Sequence, residues 1–122
     1  DEWVNHSRGE LQIYRKHDSG DSYYVGADTA MGIKSGDYSV AQVLDSKKRQ
    51  IATWRGHVHP DYFAQILFHL GTYYNDALVC CENNSHGILT VTRLGKDMAY
   101  PNMYTEIQHD KTTDKETVKL GY

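Results

Sequence analysis

The 122-residue chain reads as an α/β domain, a three-stranded antiparallel meander followed by βαβα units, gathered in one mixed central sheet with flanking helices. Three observations lead there. The first half carries short β-rich runs joined by turns, whereas parallel neighbours need crossovers of a dozen or more residues. Phe63, Ile66, Leu67, Leu70 and Tyr74 then recur at i, i+3, i+4, i+7 and i+11, one face of a helix. After that helix, Ala77-Leu78-Val79-Cys80-Cys81 is a continuous apolar run of strand length, as a parallel strand buried on both faces requires.

Residues 1–9 are polar apart from a Trp and a Val and read as a linker or lead-in, so the domain itself is assigned to 10–122. Leu11 and Ile13 mark a short strand over Glu10–Arg15, and His17-Asp18-Ser19-Gly20-Asp21 is dense in turn formers. Tyr23-Tyr24-Val25-Gly26-Ala27 is a strand that ends on Asp28. Met31–Gly36 holds two glycines and reads as a loop. Tyr38–Leu44 puts Val40, Gln42 and Leu44 on one face and Ala41 and Val43 on the other, and Gln50–His57 follows beyond a turn at Asp45–Lys48. Pro60 suits the first helical position, where its missing N–H costs nothing, and Asn75 marks the stop. A second helix is expected from Ser85 or His86 to Leu94, with Gly95 as its terminator, and Met103–Gln108 as a last strand. Residues 109–119, charged and rich in Thr, are expected to be loop or tail. This order is the layout of a ribonuclease H-like fold.

Composition narrows the function. No apolar run approaches the roughly 20 residues that span a bilayer, so no membrane partner is expected. The only two cysteines are the neighbours Cys80 and Cys81, which point to opposite faces of a strand and read as reduced thiols in the core. Thirteen basic against sixteen acidic residues give a net charge of −3, which argues against holding nucleic acid by bulk positive charge. A polyanion would have to be met by local basic groups or bound cations. The chain starts Asp1-Glu2-Trp3 and ends Lys119-Leu120-Gly121-Tyr122, and reads as a domain cut from something longer.

Two acids stand out by position. Asp28 and Glu82 each close a predicted core strand, and sites in open α/β sheets form beyond such strand ends. On adjacent parallel strands, about 4.8 Å apart, the two carboxylates would repel unless a divalent cation sat between them. Each also has a plain structural role, Asp28 in a turn and Glu82 at the start of a solvated loop. Asp37, after Gly36, is either a further carboxylate at the same strand ends or an Asx-type turn residue. Lys34 lies in the loop beside Asp28, where it would meet a phosphate. In Asn83-Asn84-Ser85-His86-Gly87, the Asn side chains would cap the next helix or orient a phosphate or metal-bound water. His57 and His59 are two apart, a metal pair only if the strand ran through both, and Pro60 argues against that. Lys47-Lys48-Arg49 reads as a solvated hairpin tip.

Val25-Gly26-Ala27-Asp28-Thr29-Ala30, Gly36-Asp37-Tyr38-Ser39 and Cys81-Glu82-Asn83-Asn84-Ser85-His86-Gly87 resemble the motifs of the C-terminal nuclease domain of phage terminase large subunits. The Lys119-Leu120-Gly121-Tyr122 ending resembles a further landmark of that family. The resemblance covers roughly residues 10–122. It implies a ribonuclease H-like nuclease that cuts double-stranded concatemeric DNA with Mg2+ or Mn2+, in a two-metal site, during viral genome packaging. It implies Asp28 and Glu82 as metal ligands and catalytic residues; the reading of the residues themselves adds Asp37 as a candidate further ligand and Lys34, Asn83 and Asn84 as candidate phosphate contacts. Implied partners are the terminase ATPase domain in the same parent chain, the portal and the small terminase subunit, and the implied location is the cytoplasm of an infected or prophage-carrying bacterium. The family's third acid lies downstream of the Lys-Leu-Gly landmark, so this fragment is expected to be impaired. No phosphate-binding Walker A pattern is present. Two alternatives stay open. Gly26-Ala27-Asp28-Thr29 followed by a Gly-bearing loop also suits an actin-like, nucleotide-binding lobe, and the fold would also serve as an inactive interaction module.

Overall fold

The computed structural model describes residues 9–30, 38–113 and 115–122. Strands β1 (Gly9–Ile13), β2 (Tyr24–Asp28), β3 (Ser39–Leu44), β4 (Gln50–Gly56) and β5 (Leu78–Cys81) form one sheet in the order β1-β4-β3-β2-β5. Every pairing is antiparallel except β2 with β5, which is parallel, so the sheet is mixed. The expected meander is β2-β3-β4, and β1 extends it as a further strand against β4. Strand ends differ from the sequence reading by one or two residues. β1 stops at Ile13 because Tyr14 and Arg15 both turn their N–H groups to the Ile51 carbonyl.

Helix α1 (Pro60–Tyr73) covers one face of this sheet. Its buried stripe of Phe63, Ile66, Leu67 and Leu70 meets Val25, Ala27, Ala41, Val43, Ala52, Trp54 and Val79 in a single core. The Trp54 and Phe63 rings lie 5.7 Å apart at its centre. His59 starts the helix with an extended backbone, and its Nδ1 accepts the Asp61 N–H at 3.1 Å, so this imidazole is an N-cap. At the other end Asn75 and Asp76 both adopt positive φ. The Asn75 amide donates to the Asp18 and Asp21 carbonyls, tying the turn before β2 to the end of α1.

Alternation decides which sheet residues face the helix. In β2, Val25 and Ala27 are buried while Tyr24, Gly26 and Asp28 are exposed. The second face of the sheet, which carries Tyr24, Gly26, Asp28, Gln42 and Arg55, is open to solvent.

Four expectations need correction. The second helix, α2, begins at Gly87 rather than at Ser85 or His86, spans Gly87–Thr92, and runs on through Gly95 as a π-helical turn over Arg93–Asp97. Gly95 is not a terminator: a Cβ there would press on Leu120 and Met103, so the glycine permits close packing inside the turn. Residues 109–119 are not loop or tail: most of them belong to a hairpin in which β6 (Thr105–Asp110), overlapping the expected last strand, pairs with β7 (Lys115–Leu120). Asp110 shapes its turn by accepting the Thr112 N–H at 2.8 Å. Met103–Gln108 is therefore not a strand of the central sheet; only Met103 bridges to Val79 of β5, in parallel. Among the described residues no helix is long and apolar enough to cross a membrane.

Candidate active site

The parallel register of β2 and β5 pairs Val25 with Val79 and Ala27 with Cys81. One step further on, Asp28 and Glu82 lie opposite each other, and the Glu82 N–H reaches the Ala27 carbonyl at 3.4 Å. Their backbones are one strand spacing apart, about 4.8 Å, and both side chains leave on the open face, since Ala27 and Cys81 point to the core. Asp28 is exposed and Glu82 is half-buried.

On the far side of Glu82 the chain returns. The Tyr122 N–H donates to the Cys81 carbonyl at 3.1 Å, and the Asn83 N–H to the Tyr122 carbonyl at 2.9 Å. That is a parallel bridge opposite Glu82. Tyr122, Glu82 and Asp28 therefore form one row across the open face. Gly121 makes the approach possible: its φ is +78°, and a Cβ would collide with the Cys81 carbonyl. The Lys-Leu-Gly landmark thus has a local physical reason. The Asn83 side-chain amide locks it by donating to the Leu120 carbonyl at 2.9 Å.

The electrostatics follow the geometry. Burial first, then the charge of Glu82, with Cys81, Cys80 and Asp28, pushes the Tyr122 phenol up. Burial also pushes the Cys81 thiol up to about 11, opposed by a hydrogen bond with Thr29 and reinforced by the Asp28 and Glu82 charges. Cys81 stays a neutral thiol at pH 7, so it is no nucleophile. The thiol of Cys80 is likewise raised by burial. Gly26, Ala27, Asp28, Val40, Gln42, Leu44 and Tyr122 line a hollow of about 480 Å³ beside the acids. Space above Gly26 is open, with nothing within 4 Å of where a Cβ would stand.

The structure thus sets Asp28 and Glu82 side by side. Asp37 and Lys34 lie outside the described residues. Asn84 is exposed, and its carbonyl accepts the Ile88 N–H at 2.9 Å. Neither Asn84 nor Ser85 caps α2; His86 precedes the first helical residue and makes no side-chain cap. Gly87 fits against the Glu82 carbonyl, where any Cβ would collide, which folds the Asn83–His86 loop back over the strand end. His57 does not pair with His59 but packs on the Tyr38 ring, centroids 3.9 Å apart. In the tip between β3 and β4, burial would raise the Asp45 carboxyl, but hydrogen bonds from the Arg49 N–H, its guanidinium and the Lys47 N–H hold it below the usual range. Two residues at the site were missed from sequence. Tyr122 is one; its signals were the glycine before it and the Lys119-Leu120-Gly121-Tyr122 landmark it ends. Arg55 is the other; its signal was the alternation of β4, which puts it on the same face as Asp28.

Two solved structures of the large terminase nuclease from thermophilic phage G20c superpose on this chain, one of them with bound cobalt. The cobalt-bound structure gives a TM-score of 0.65 at 14% identity, over 94% of this chain and 80% of that one. The second gives 0.56 at 14% identity, over 94% and 81%. This chain has the fold of a large terminase nuclease. No family model and no curated protein sequence matches it. At this identity the likeness is one of fold.

Proposed function

We propose that the chain is the metal-dependent endonuclease domain of a viral DNA-packaging terminase, hydrolysing phosphodiester bonds of double-stranded DNA. The observation that carries this reading is the pair of carboxylates, in register at the ends of adjacent parallel strands on an open sheet face, in a fold shared with the G20c terminase nuclease. Two carboxylates held this close repel each other, and a hard divalent cation relieves that repulsion. Their oxygens suit Mg2+ or Mn2+, and the cobalt in the G20c nuclease supports use of a divalent metal. Among the described residues no third His, Cys, Asp or Glu completes a larger cluster. The pair therefore fits one cation, and a second would draw on an additional acid such as Asp37.

Bound there, the metal would offset the negative charge of the scissile phosphate and favour ionisation of the attacking water. The remaining work belongs to the chain. Asp28 would hold the cation together with Glu82 and so anchor the centre, and would be shared with a second cation if an additional acid supplied one. Glu82 holds one cation and accepts a hydrogen bond from the attacking water. Gly26 leaves room for the sugar-phosphate backbone over β2, and Tyr122 closes one side of the hollow. Lys34 would contact a phosphate. Of the two Asn residues, Asn84 has its amide available for the same purpose, because that of Asn83 is engaged by Leu120. The proposed partners are double-stranded DNA, the terminase ATPase domain, the portal and the small terminase subunit, and the proposed location is the bacterial host cytoplasm.

The test is nicking of supercoiled plasmid by the full-length protein in Mn2+. Asp28→Asn and Glu82→Gln should each lower the rate at least about a hundredfold, since even residues that only support metal ligands cost 10–100-fold. Undiminished nicking by both variants would end the assignment.

A further inference from the structure

The registers that align Asp28 with Glu82 continue across the sheet. Asp28 pairs with Val40, Val40 with Arg55, and Arg55 with Glu10. Residues directly opposite on neighbouring strands share a face. Glu82, Asp28, Val40, Arg55 and Glu10 therefore make one row on the open face. Two strand spacings separate Asp28 from Arg55, about 10 Å.

Arg55 is exposed, yet it is held. Its guanidinium lies 3.7 Å from the centroid of the Tyr38 ring, and that ring packs in turn on His57. A cation on an aromatic face keeps its N–H donors for another acceptor. Among the described residues Arg55 makes no ion pair. Beside it Glu10, Gln12, Tyr38, Thr53 and Arg55 line a hollow of about 290 Å³. A chain of net charge −3 does not gather a polyanion by its overall field, so a fixed local cation decides where one lies.

We infer that Arg55, braced on Tyr38, anchors a backbone phosphate of the nucleic acid laid across this face, away from the scissile bond. The inference rests on the nuclease reading and adds a binding residue to it. The roughly 10 Å from Asp28 to Arg55 is well beyond the axial step of about 3.4 Å between phosphates of one strand, so Arg55 meets a phosphate other than the one at the acids. Glu10, opposite Arg55, weakens the anchor by its like charge to the phosphate. A guanidinium fits here better than an ammonium because it stacks on the ring and still presents a planar fork of donors.

The test is binding of a fluorescent duplex oligonucleotide by the full-length protein without divalent metal, across a salt series, together with Mn2+-dependent nicking. Arg55→Gln should weaken binding about five- to tenfold and reduce the log–log salt slope by about one. Arg55→Lys should lose less affinity and keep the slope, and Glu10→Gln should tighten binding about twofold. In nicking, Arg55→Gln should raise KM more than it lowers kcat. If the wild type binds and nicks but Arg55→Gln binds with unchanged affinity and slope, the inference fails while the nuclease reading stands. If the wild type neither binds nor nicks duplex DNA, both fail.

Discussion

Asp28 and Glu82 are two like charges that the backbone holds next to each other, with Tyr122 beside them. On the proposed reading, such a pair would cost the fold some stability that a bound cation would return. Without metal, Asp28→Asn should melt at or slightly above the wild-type temperature; with Mn2+ the wild type should gain stability by mass action and the variant should not. A variant that melts well below wild type without metal would mean that Asp28 is structural. Tyr74 presents another local cost. Its hydroxyl is buried and has no hydrogen-bond partner among the described residues. Burial first, then the neighbouring Tyr73 and Tyr23, pushes this phenol up to about 12 from an ordinary 10.0. The fold thus favours the protonated form, so stability is full below pH 10 and falls as pH rises toward 12. Tyr74→Phe removes an unsatisfied polar atom and should stabilise the protein by about 1 kcal/mol at neutral pH, with a smaller alkaline loss, measured by urea denaturation at pH 7 and above pH 10. Destabilisation by Tyr74→Phe at pH 7 would mean that the hydroxyl has a partner after all.

Elements were legible in proportion to how strongly a period marks them. The stripe of α1 repeats over three turns with Pro60 before it and Asn75 after it, and the helix stands where those residues put it. Of the hairpin, β6 was anticipated within Met103–Gln108 but β7 and their pairing were not, because both faces are largely wet: Ile107 and Val118, paired across it, are 69% and 70% exposed. With no buried face there is no apolar alternation to read. Gly95 misled for a related reason. A glycine that ends a helix and one that admits a neighbouring side chain are the same letter, and only Leu120 and Met103, both distant in sequence, tell them apart. Gly121 is the element-scale hinge of the site. Gly121→Ala must accommodate a positive φ and a collision with Cys81, and should cost about 1–3 kcal/mol, read as a lower urea midpoint. It should also reduce nicking, since Tyr122 would leave the row beside Glu82. A variant of unchanged stability would show that the C-terminal segment does not pack as described.

At the scale of the whole molecule, one face of the sheet is paired with a helix and the other is given to the site. Strands β2 and β3 lie in the middle, with Val25, Ala27, Ala41 and Val43 sealed under α1, whereas β6–β7 stands on its own pairing. Amide hydrogen exchange should therefore be slowest in β2 and β3 and fastest in the hairpin; equal protection in both would contradict this division of the core. Read from sequence, the chain yielded its α/β class, the antiparallel run, the helix after it, the buried strand, and the two acids that close their strands, because periodicity and strand-end position are local properties that each segment carries alone. Which residues stand in one row was settled only by pairing. Asp28 meets Glu82 because β2 runs parallel to β5, Arg55 joins them because β3 and β4 fall into register, and Tyr122 arrives because a glycine lets the chain pass the Cys81 carbonyl. Hydrogen-bond register links segments tens of residues apart, and no stretch of sequence records its partner.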